Sequence, residues 1–292
     1  MPTARWPTYV ALTVLWGLSL VAVRGVVGGR GWAFGAVLCA LVIAAVKVVV
    51  SHLTGEARPL AGSPRRLLIL GAAVVIQDLG VCYALDRIGL AQTAVVLAAV
   101  PLFATLTGQM LGADRITEAA ATGLGTGFVG VLLVAIFPAD GGSWNFIGGV
   151  LAGLVAALTG GFSIRYAALR FPGRAEPMAA AHGMAAVVAL PLVILSGSSG
   201  SGSAWSFLWL VLLAVALGAA GVLTAQHFPV PRRALRMTRV KNGGLVVAVL
   251  VGVCLQHETL SMGQVLGLVL LMIGATLVLE LVPEDASARW LR

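Results

Sequence analysis

The chain of 292 residues is 59% hydrophobic and only 10% charged, with a formal net charge of +8. Soluble domains carry about 25% charged residues, so this composition excludes a water-soluble globular protein, and lipid must surround most of the side chains. The net positive charge would favour nucleic acid in a soluble protein. Here the basic residues lie in short loops between apolar segments, where they set membrane orientation, and we expect no nucleic-acid partner.

A helix that crosses the hydrocarbon core of a bilayer needs about 20 mostly apolar residues. The sequence therefore predicts an all-α integral membrane protein with ten transmembrane helices, in the cell (plasma or inner) membrane. The first apolar segment follows Arg5 as a signal peptide would, but it lacks a cleavage-like small-residue site, so we expect it to remain as helix 1. In chain order the ten predicted segments are 8–27, 32–53, 67–87, 90–111, 117–137, 144–169, 178–196, 205–226, 240–256 and 259–282.

The distribution of lysine and arginine predicts the orientation. If the N-terminus is inside, 14 of the 19 basic residues fall in the inner segments and two, Arg30 and Arg87, in the outer loops. The other three, Arg24, Lys47 and Arg165, lie within predicted helices. Inner loops of membrane proteins carry an excess of basic residues. The sequence therefore predicts that both termini are cytoplasmic.

Two similar segments of the sequence indicate an internal repeat. The segment ADRITEAAATGLGTGFVG at 113–130 matches HETLSMGQVLGLVLLMIG at 257–274 after a shift of 144 residues, which aligns Asp114 with Glu258. The same shift aligns Gly123 with Gly267 and Gly130 with Gly274. An acid followed by Thr or Ser and an apolar run is also a generic helix cap, so chance similarity of two helix starts stays open.

A duplication of this size predicts two five-helix repeats, 1–139 and 140–292, within one integrated membrane domain. Because five is an odd number, the second repeat must enter the membrane from the opposite side. Inverted repeats of this kind are a common basis of secondary transporters, in which one half rocks against the other around a central site.

Three segments resemble one transporter family. WGLSLVAVRG at 16–25, YALDRIGLAQTAVVLAAVPLFATLTGQMLGADRIT at 83–117 and HETLSMGQVLGLVLLMIGATLVL at 257–279 are similar to the EamA-type members of the drug/metabolite transporter superfamily. This resemblance implies ten helices in two inverted five-helix repeats and export of amino acids or other small metabolites. The sequence departs from the family at the Gly-Glu pair before helices 5 and 10, where it has Ala113-Asp114 and His257-Glu258.

The polar pair Gln77-Asp78 lies near the midpoint of the third predicted helix and is the first candidate site. An ionisable side chain at this depth costs about 2.5–3.5 kcal/mol on insertion scales. Asp78 is therefore a candidate for taking up and releasing a proton during transport, and Gln77 for a hydrogen bond to a polar substrate. The alternative is an interhelical hydrogen bond that only holds the bundle together.

Further candidates come from helices 1 and 4. Arg24 could attract an anionic substrate or pair with Asp78, although snorkelling to the nearby interface is the simpler role. Trp16 lies deeper, where it could form an aromatic wall of a central cavity or pack as an ordinary core residue. Pro101 should kink or unwind helix 4, and such interruptions often border transporter sites. We expect His182 to have a structural role.

The ninth segment differs from the others because only Asn242–Gln256, about 15 residues, is free of charge. At 1.5 Å per residue it covers roughly 22 Å, against a hydrocarbon core of about 30 Å. We therefore predict a shortened helix 9 whose Arg236, Arg239 and Lys241 snorkel to the cytoplasmic interface. If these side chains instead point into the cavity between the repeats, they belong to the site, and an anionic substrate is favoured.

The sequence thus predicts a secondary active permease that exports a small metabolite or drug, with protons as the candidate coupling ion. Its partners would be the small-molecule substrate and the lipid bilayer, and a homodimer is the candidate oligomer. No GxxxxGK[ST], HExxH, CxxC or GxSxG pattern occurs, so we expect no ATP-driven step, no enzymatic activity, no metal and no cofactor. The alternative is a non-transporting membrane sensor or partner protein.

Overall fold

The computed structural model describes residues 6–57, 63–112, 117–138, 143–172, 174, 176–196, 204–227 and 230–280, with the backbone alone for 204, 230–237, 239 and 280. All regular secondary structure in these residues is α-helical. The predicted boundary between the two repeats, at 139 and 140, lies outside them. In chain order the helices are α1 (Trp6–Arg30), α2 (Trp32–Leu53), α3 (Pro64–Leu97), α4 (Val100–Met110), α5 (Glu118–Ile136), α6 (Trp144–Arg170), α7 (Glu176–Leu195), α8 (Ala204–His227), α9 (Val230–Leu255) and α10 (Met262–Glu280).

Eight of these helices, all but α4 and α9, are long and apolar enough to cross a membrane. Large apolar side chains such as Leu195 and Ile194 are more than 80% exposed on the outside of the bundle, where water would oppose folding and lipid would not. The molecule is therefore a multi-pass α-helical membrane protein.

The third and fourth predicted segments form a chain of three helical pieces. A break at Gly89, with a φ of 78°, divides α3 at the position that separates the two predicted segments. Glycine adopts this left-handed backbone without the steric cost of a Cβ atom. The second piece ends at Leu97, and α4 begins at Val100 with Pro101 in its first turn. Because proline has no N–H group to continue the ladder, the interruption expected at Pro101 is confirmed.

The ninth helix is longer than the predicted segment, although its apolar part, Val240–Leu255, is as short as predicted. The helix α9 runs from Val230 to Leu255, a length of 26 residues, or about 39 Å at 1.5 Å per residue. Arginine, lysine and alanine all have favourable helix propensities, so the basic segment continues the helix instead of ending it. The number of uncharged residues gives the length of the uncharged part of the helix. It does not show where the helix begins.

Helices from the two halves of the chain pack against each other throughout the bundle. The helix α1 contacts α8 and α9, α2 contacts α7, α3 and α4 contact α6, and α5 contacts α10. Small residues allow these approaches: a Cβ atom at Gly17 would lie 2.7 Å from the carbonyl oxygen of Gly244. The spaced glycines Gly123 and Gly127 also lie at helix contacts, as expected for small-xxx-small packing in membranes. The two halves therefore form one body, and the largest buried core cluster draws on both.

A central cavity between the two halves

The bundle contains a cavity of about 470 Å³, which is within the range of small-molecule sites. Its lining residues come from α1 to α4 and from α6 to α9. The lining extends from Glu56, just beyond the end of α2, to Leu97 and Pro101, where the helix is interrupted. Towards the other end of the bundle, Leu90, Ala91 and Ala94 are completely buried. The cavity therefore extends from one end of the bundle to its middle.

An acid and a histidine meet on the wall of this cavity. Nδ1 of His182, on α7, lies 2.7 Å from Oδ2 of Asp78, on α3, and the two side chains are 6% and 12% exposed. When Asp78 is ionised, Nδ1 of His182 donates this hydrogen bond to the carboxylate. One residue earlier, Gln77 Oε1 accepts a hydrogen bond of 3.1 Å from Ser163 Oγ on α6. Asp78 and Gln77 thus join α3 to two helices of the second half.

Two lysines line the same cavity, Lys47 on α2 and Lys241 on α9. Lys241 Nζ lies 4.3 Å from the centroid of the Trp16 ring, a cation–π contact that partly replaces water around the ammonium group. Among the described residues, no carboxylate lies within ion-pair distance of either lysine. The prediction that Lys241 snorkels to the interface is therefore wrong, because Trp16 offers it a partner inside the bundle. The side chains of Arg236 and Arg239 lie outside the described residues.

Two buried polar atoms of cavity-lining residues near Lys241 have no hydrogen-bond partner in the described structure. They are Nε1 of Trp16 and Oδ1 of Asn242. Asn242 is only 5% exposed, and its Nδ2 donates to the sulfur of Met272 at 3.5 Å, a weak contact. A buried unsatisfied polar group costs about 1–3 kcal/mol, so polar atoms of a ligand at this wall would gain free energy from them.

The structure brings together four of the five site residues predicted from the sequence. Trp16, Gln77, Asp78 and Pro101 all line the cavity. Arg24 does not line it; its guanidinium lies beside Gly28, one turn nearer the end of α1, and no ion pair joins it to Asp78. Whether any of these residues binds a substrate or a proton stays a prediction.

Sequence reasoning missed Lys47 as a site residue, placed Lys241 in the site only as the alternative to snorkelling, and assigned His182 only a structural role. A signal for Lys47 was present, because it is the only charged residue in the 22-residue helix α2 apart from His52 near its end. Ionisable residues inside membrane helices usually face the bundle interior or a wet cavity. Lys47 lies only about 9 Å from the end of α2 at 1.5 Å per residue. Snorkelling of its side chain to the membrane interface was therefore an equally good interpretation of the sequence.

Comparison with known proteins identifies the fold and no activity. No protein-family model matches the sequence, and no curated protein is similar enough to count as a relative. A solved structure described only as a crystal structure of a protein is similar to this chain with a TM-score of 0.65 and 18% sequence identity. The similarity covers 94% of this chain and 96% of that one. At this identity the similarity shows the fold alone, over 94% of the chain.

Proposed function

We propose that this protein is a secondary active permease of the EamA type, with ten transmembrane helices in two inverted repeats, which exports a small metabolite or drug by alternating access. The observation that carries the proposal is the cavity between the halves, lined by Trp16, Asp78, His182 and the two lysines Lys47 and Lys241. Charged groups in the interior of a membrane bundle are costly and mark substrate and ion pathways. A purely structural protein would have no use for them there.

Contacts between the halves support the inverted repeat. A Cβ atom at Gly17 would lie 2.7 Å from the carbonyl oxygen of Gly244, and one at Gly161 would lie 2.9 Å from that of Val100. The 144-residue shift found in the sequence converts residue 17 into 161 and residue 100 into 244. The second contact is therefore the first with the two halves exchanged, as a two-fold axis between repeats requires.

The contact between α5 and α10 follows the same rule. A Cβ atom at Gly123 would meet the carbonyl oxygen of Gly274 at 2.8 Å, and one at Gly130 would meet that of Gly267 at 2.6 Å. Residue numbers rise on one helix as they fall on the other, so the two helices are antiparallel. Since the shift of 144 equates 123 with 267 and 130 with 274, each helix is the counterpart of the other. An antiparallel pair of counterparts favours an inverted repeat over a parallel one.

The position of the cavity supports alternating access. It reaches the end of the bundle at Glu56, which is the cytoplasmic end if the charge distribution predicts the orientation correctly. The opposite end is filled by fully buried side chains around Leu90 and Ala94. In a cycle of alternating access, this arrangement is the state that accepts substrate from the cytoplasm. Asp78 and His182, which share a hydrogen bond on the cavity wall, are the groups through which proton uptake would couple to substrate release.

The proposal is tested with purified full-length protein in proteoliposomes. A panel of radiolabelled amino acids, organic acids and amines is loaded inside, and efflux is measured with and without a pH gradient, against protein-free vesicles. We expect faster efflux of at least one compound. If no compound moves while at least one binds to the protein in detergent, the permease proposal is overturned and the sensor alternative is favoured.

A further inference from the structure

We propose that the cavity binds a small organic anion whose carboxylate or phosphate group lies between the ammonium groups of Lys47 and Lys241. This inference rests on the proposed function for its physiological meaning, but the binding site itself can be tested without transport. It concerns the charge class of the ligand, which neither the fold nor the volume of the cavity determines.

The first argument is that neither lysine forms an ion pair with an acid of the described residues, although Glu56 and Asp78 also line the cavity. Lys47 on α2 and Lys241 on α9 line the same cavity from opposite halves of the chain. Asp78 interacts electrostatically with Lys47, but its carboxylate is already hydrogen-bonded to His182 at 2.7 Å. Both lysines are half-buried, and cations partly removed from water are stabilised by a counter-charge. An anion between the two lysines would supply it.

The second argument is the hydrogen-bonding capacity around the lysines. The Trp16 ring lies against Lys241, and its buried Nε1 has no partner in the described structure. This N–H group can only donate, so it suits an oxygen of an anionic group. Asn242, next to Lys241 in sequence, has an unpaired Oδ1, which can accept from a hydroxyl or amine elsewhere in the ligand. The wall therefore offers charge and directional contacts at the same place.

The third argument links the anion to movement. Lys47 belongs to the first half of the chain and Lys241 to the second. Closing the cavity around an empty site would press two like charges together in a medium of low dielectric constant, where their repulsion is strong. An anion between them changes this repulsion into attraction from both halves. A bound anion would therefore favour closure, and an empty site would oppose it.

The test uses the full-length protein in detergent and three probes of similar shape: benzoate, phenyl phosphate and benzylamine. Binding is measured by calorimetry for the wild type and for the variants Lys47→Gln, Lys241→Gln, Lys241→Arg and Arg87→Gln. We expect benzoate or phenyl phosphate to bind and benzylamine not to. The first two variants should lower anion affinity at least tenfold, and Lys241→Arg should retain most of it. Arg87 is exposed and outside the cavity, so Arg87→Gln should bind as the wild type does.

A second measurement, of the melting temperature, distinguishes loss of the binding site from misfolding of a variant. Because Lys241 lines a cavity with a second cation and forms an ion pair with no acid of the described residues, Lys241→Gln should melt at a higher temperature than the wild type when no ligand is present. Anions should raise the melting temperature of the wild type and should not raise that of this variant. The inference is overturned if neither anion binds, if benzylamine binds better, or if both lysine-to-glutamine variants bind anions normally.

The transport assay separates the two proposals. If anions bind through the lysines and no compound of the panel is moved, the permease proposal fails and the anion site stands. If the protein transports amines or neutral compounds while the lysine variants retain full transport, the permease proposal stands and the anion site fails.

Discussion

Removal of the Glu258 carboxylate should destabilise the protein, because this side chain connects the two halves at the break in α3. Oε1 and Oε2 of Glu258 accept hydrogen bonds of 2.7 and 2.6 Å from the backbone N–H groups of Leu90 and Ala91. These are the first residues after Gly89, so their N–H groups begin a new helical piece and have no partner in the preceding turn. A negative charge at a helix N-terminus is also favourable. Both capped residues are completely buried.

The structure sets the size of the effect. In Glu258→Ala, two buried N–H groups lose their acceptor, and each costs about 1–3 kcal/mol. At the lower part of that range, the free energy of unfolding falls by about 2–4 kcal/mol. At about 2 °C per kcal/mol, the ratio for large domains, the melting temperature falls by about 4–8 °C. Glu258→Gln keeps one acceptor oxygen and should lose about half as much.

The assay is thermal unfolding in detergent, followed with a thiol-reactive dye. Cys39 and Cys82 are buried and report unfolding, whereas Cys254 is exposed and should be replaced by serine in all proteins compared. Asp86→Asn is the matched control, since Asp86 is exposed and, among the described residues, forms an ion pair with its neighbour Arg87 alone, at 3.7 Å. We expect the control to melt within about 1 °C of the parent, because exposed ion pairs contribute little. A Glu258→Ala protein that melts with the control would refute the reasoning.

Three further predictions test the cavity, the helix packing and the topology. Asp78→Asn should slow the transport of any substrate of the wild type at least tenfold and flatten its pH dependence, while gel filtration shows a folded protein; normal transport at every pH would contradict a proton role. Gly161→Ala should lower the melting temperature because the new Cβ would lie 2.5 Å from a backbone nitrogen of α4, whereas Gly125→Ala, with nothing within 4 Å, should leave it unchanged or raise it. In a background without native cysteines, Asn145→Cys should react with an impermeant thiol reagent in intact cells, and Ser63→Cys should not. The reverse pattern of labelling would contradict the predicted orientation.

The helical class was predictable from composition and segment length, because the bilayer imposes one strong constraint on both. Backbone polar groups must be satisfied within the segment, so an apolar run of about 20 residues has few alternatives to a helix. The break at Pro101 was predictable for an equally local reason, the missing N–H group. The start of α9 was not, since charge is a poor guide to where a helix begins when the helix lines a polar cavity.

The position of a charged side chain in the bundle depends on neighbours that one sequence does not identify. Lys241 was expected at the membrane interface because the sequence shows its distance from the helix end and does not show the Trp16 ring that it contacts. Asp78 could be recognised as a midpoint acid, but its partner His182 is 104 residues away. Such pairings come from the packing of α3 against α7 and of α1 against α9. They are properties of the fold.

The similar segments at the starts of α5 and α10 contain two features of different origin. Thr117 Oγ1 accepts from the N–H of Ala120 at 3.2 Å, and Ser261 Oγ accepts from that of Gln264 at 3.1 Å. These are ordinary helix caps, which unrelated helices could share. Glu258 is different, because it caps a helical piece of the other half instead of its own helix. Its equivalent in the first segment, Asp114, lies outside the described residues. A generic cap thus accounts for the hydroxyl residues of the two segments, whereas the carboxylate of Glu258 has a different role, because it connects the second half of the chain to the break in α3.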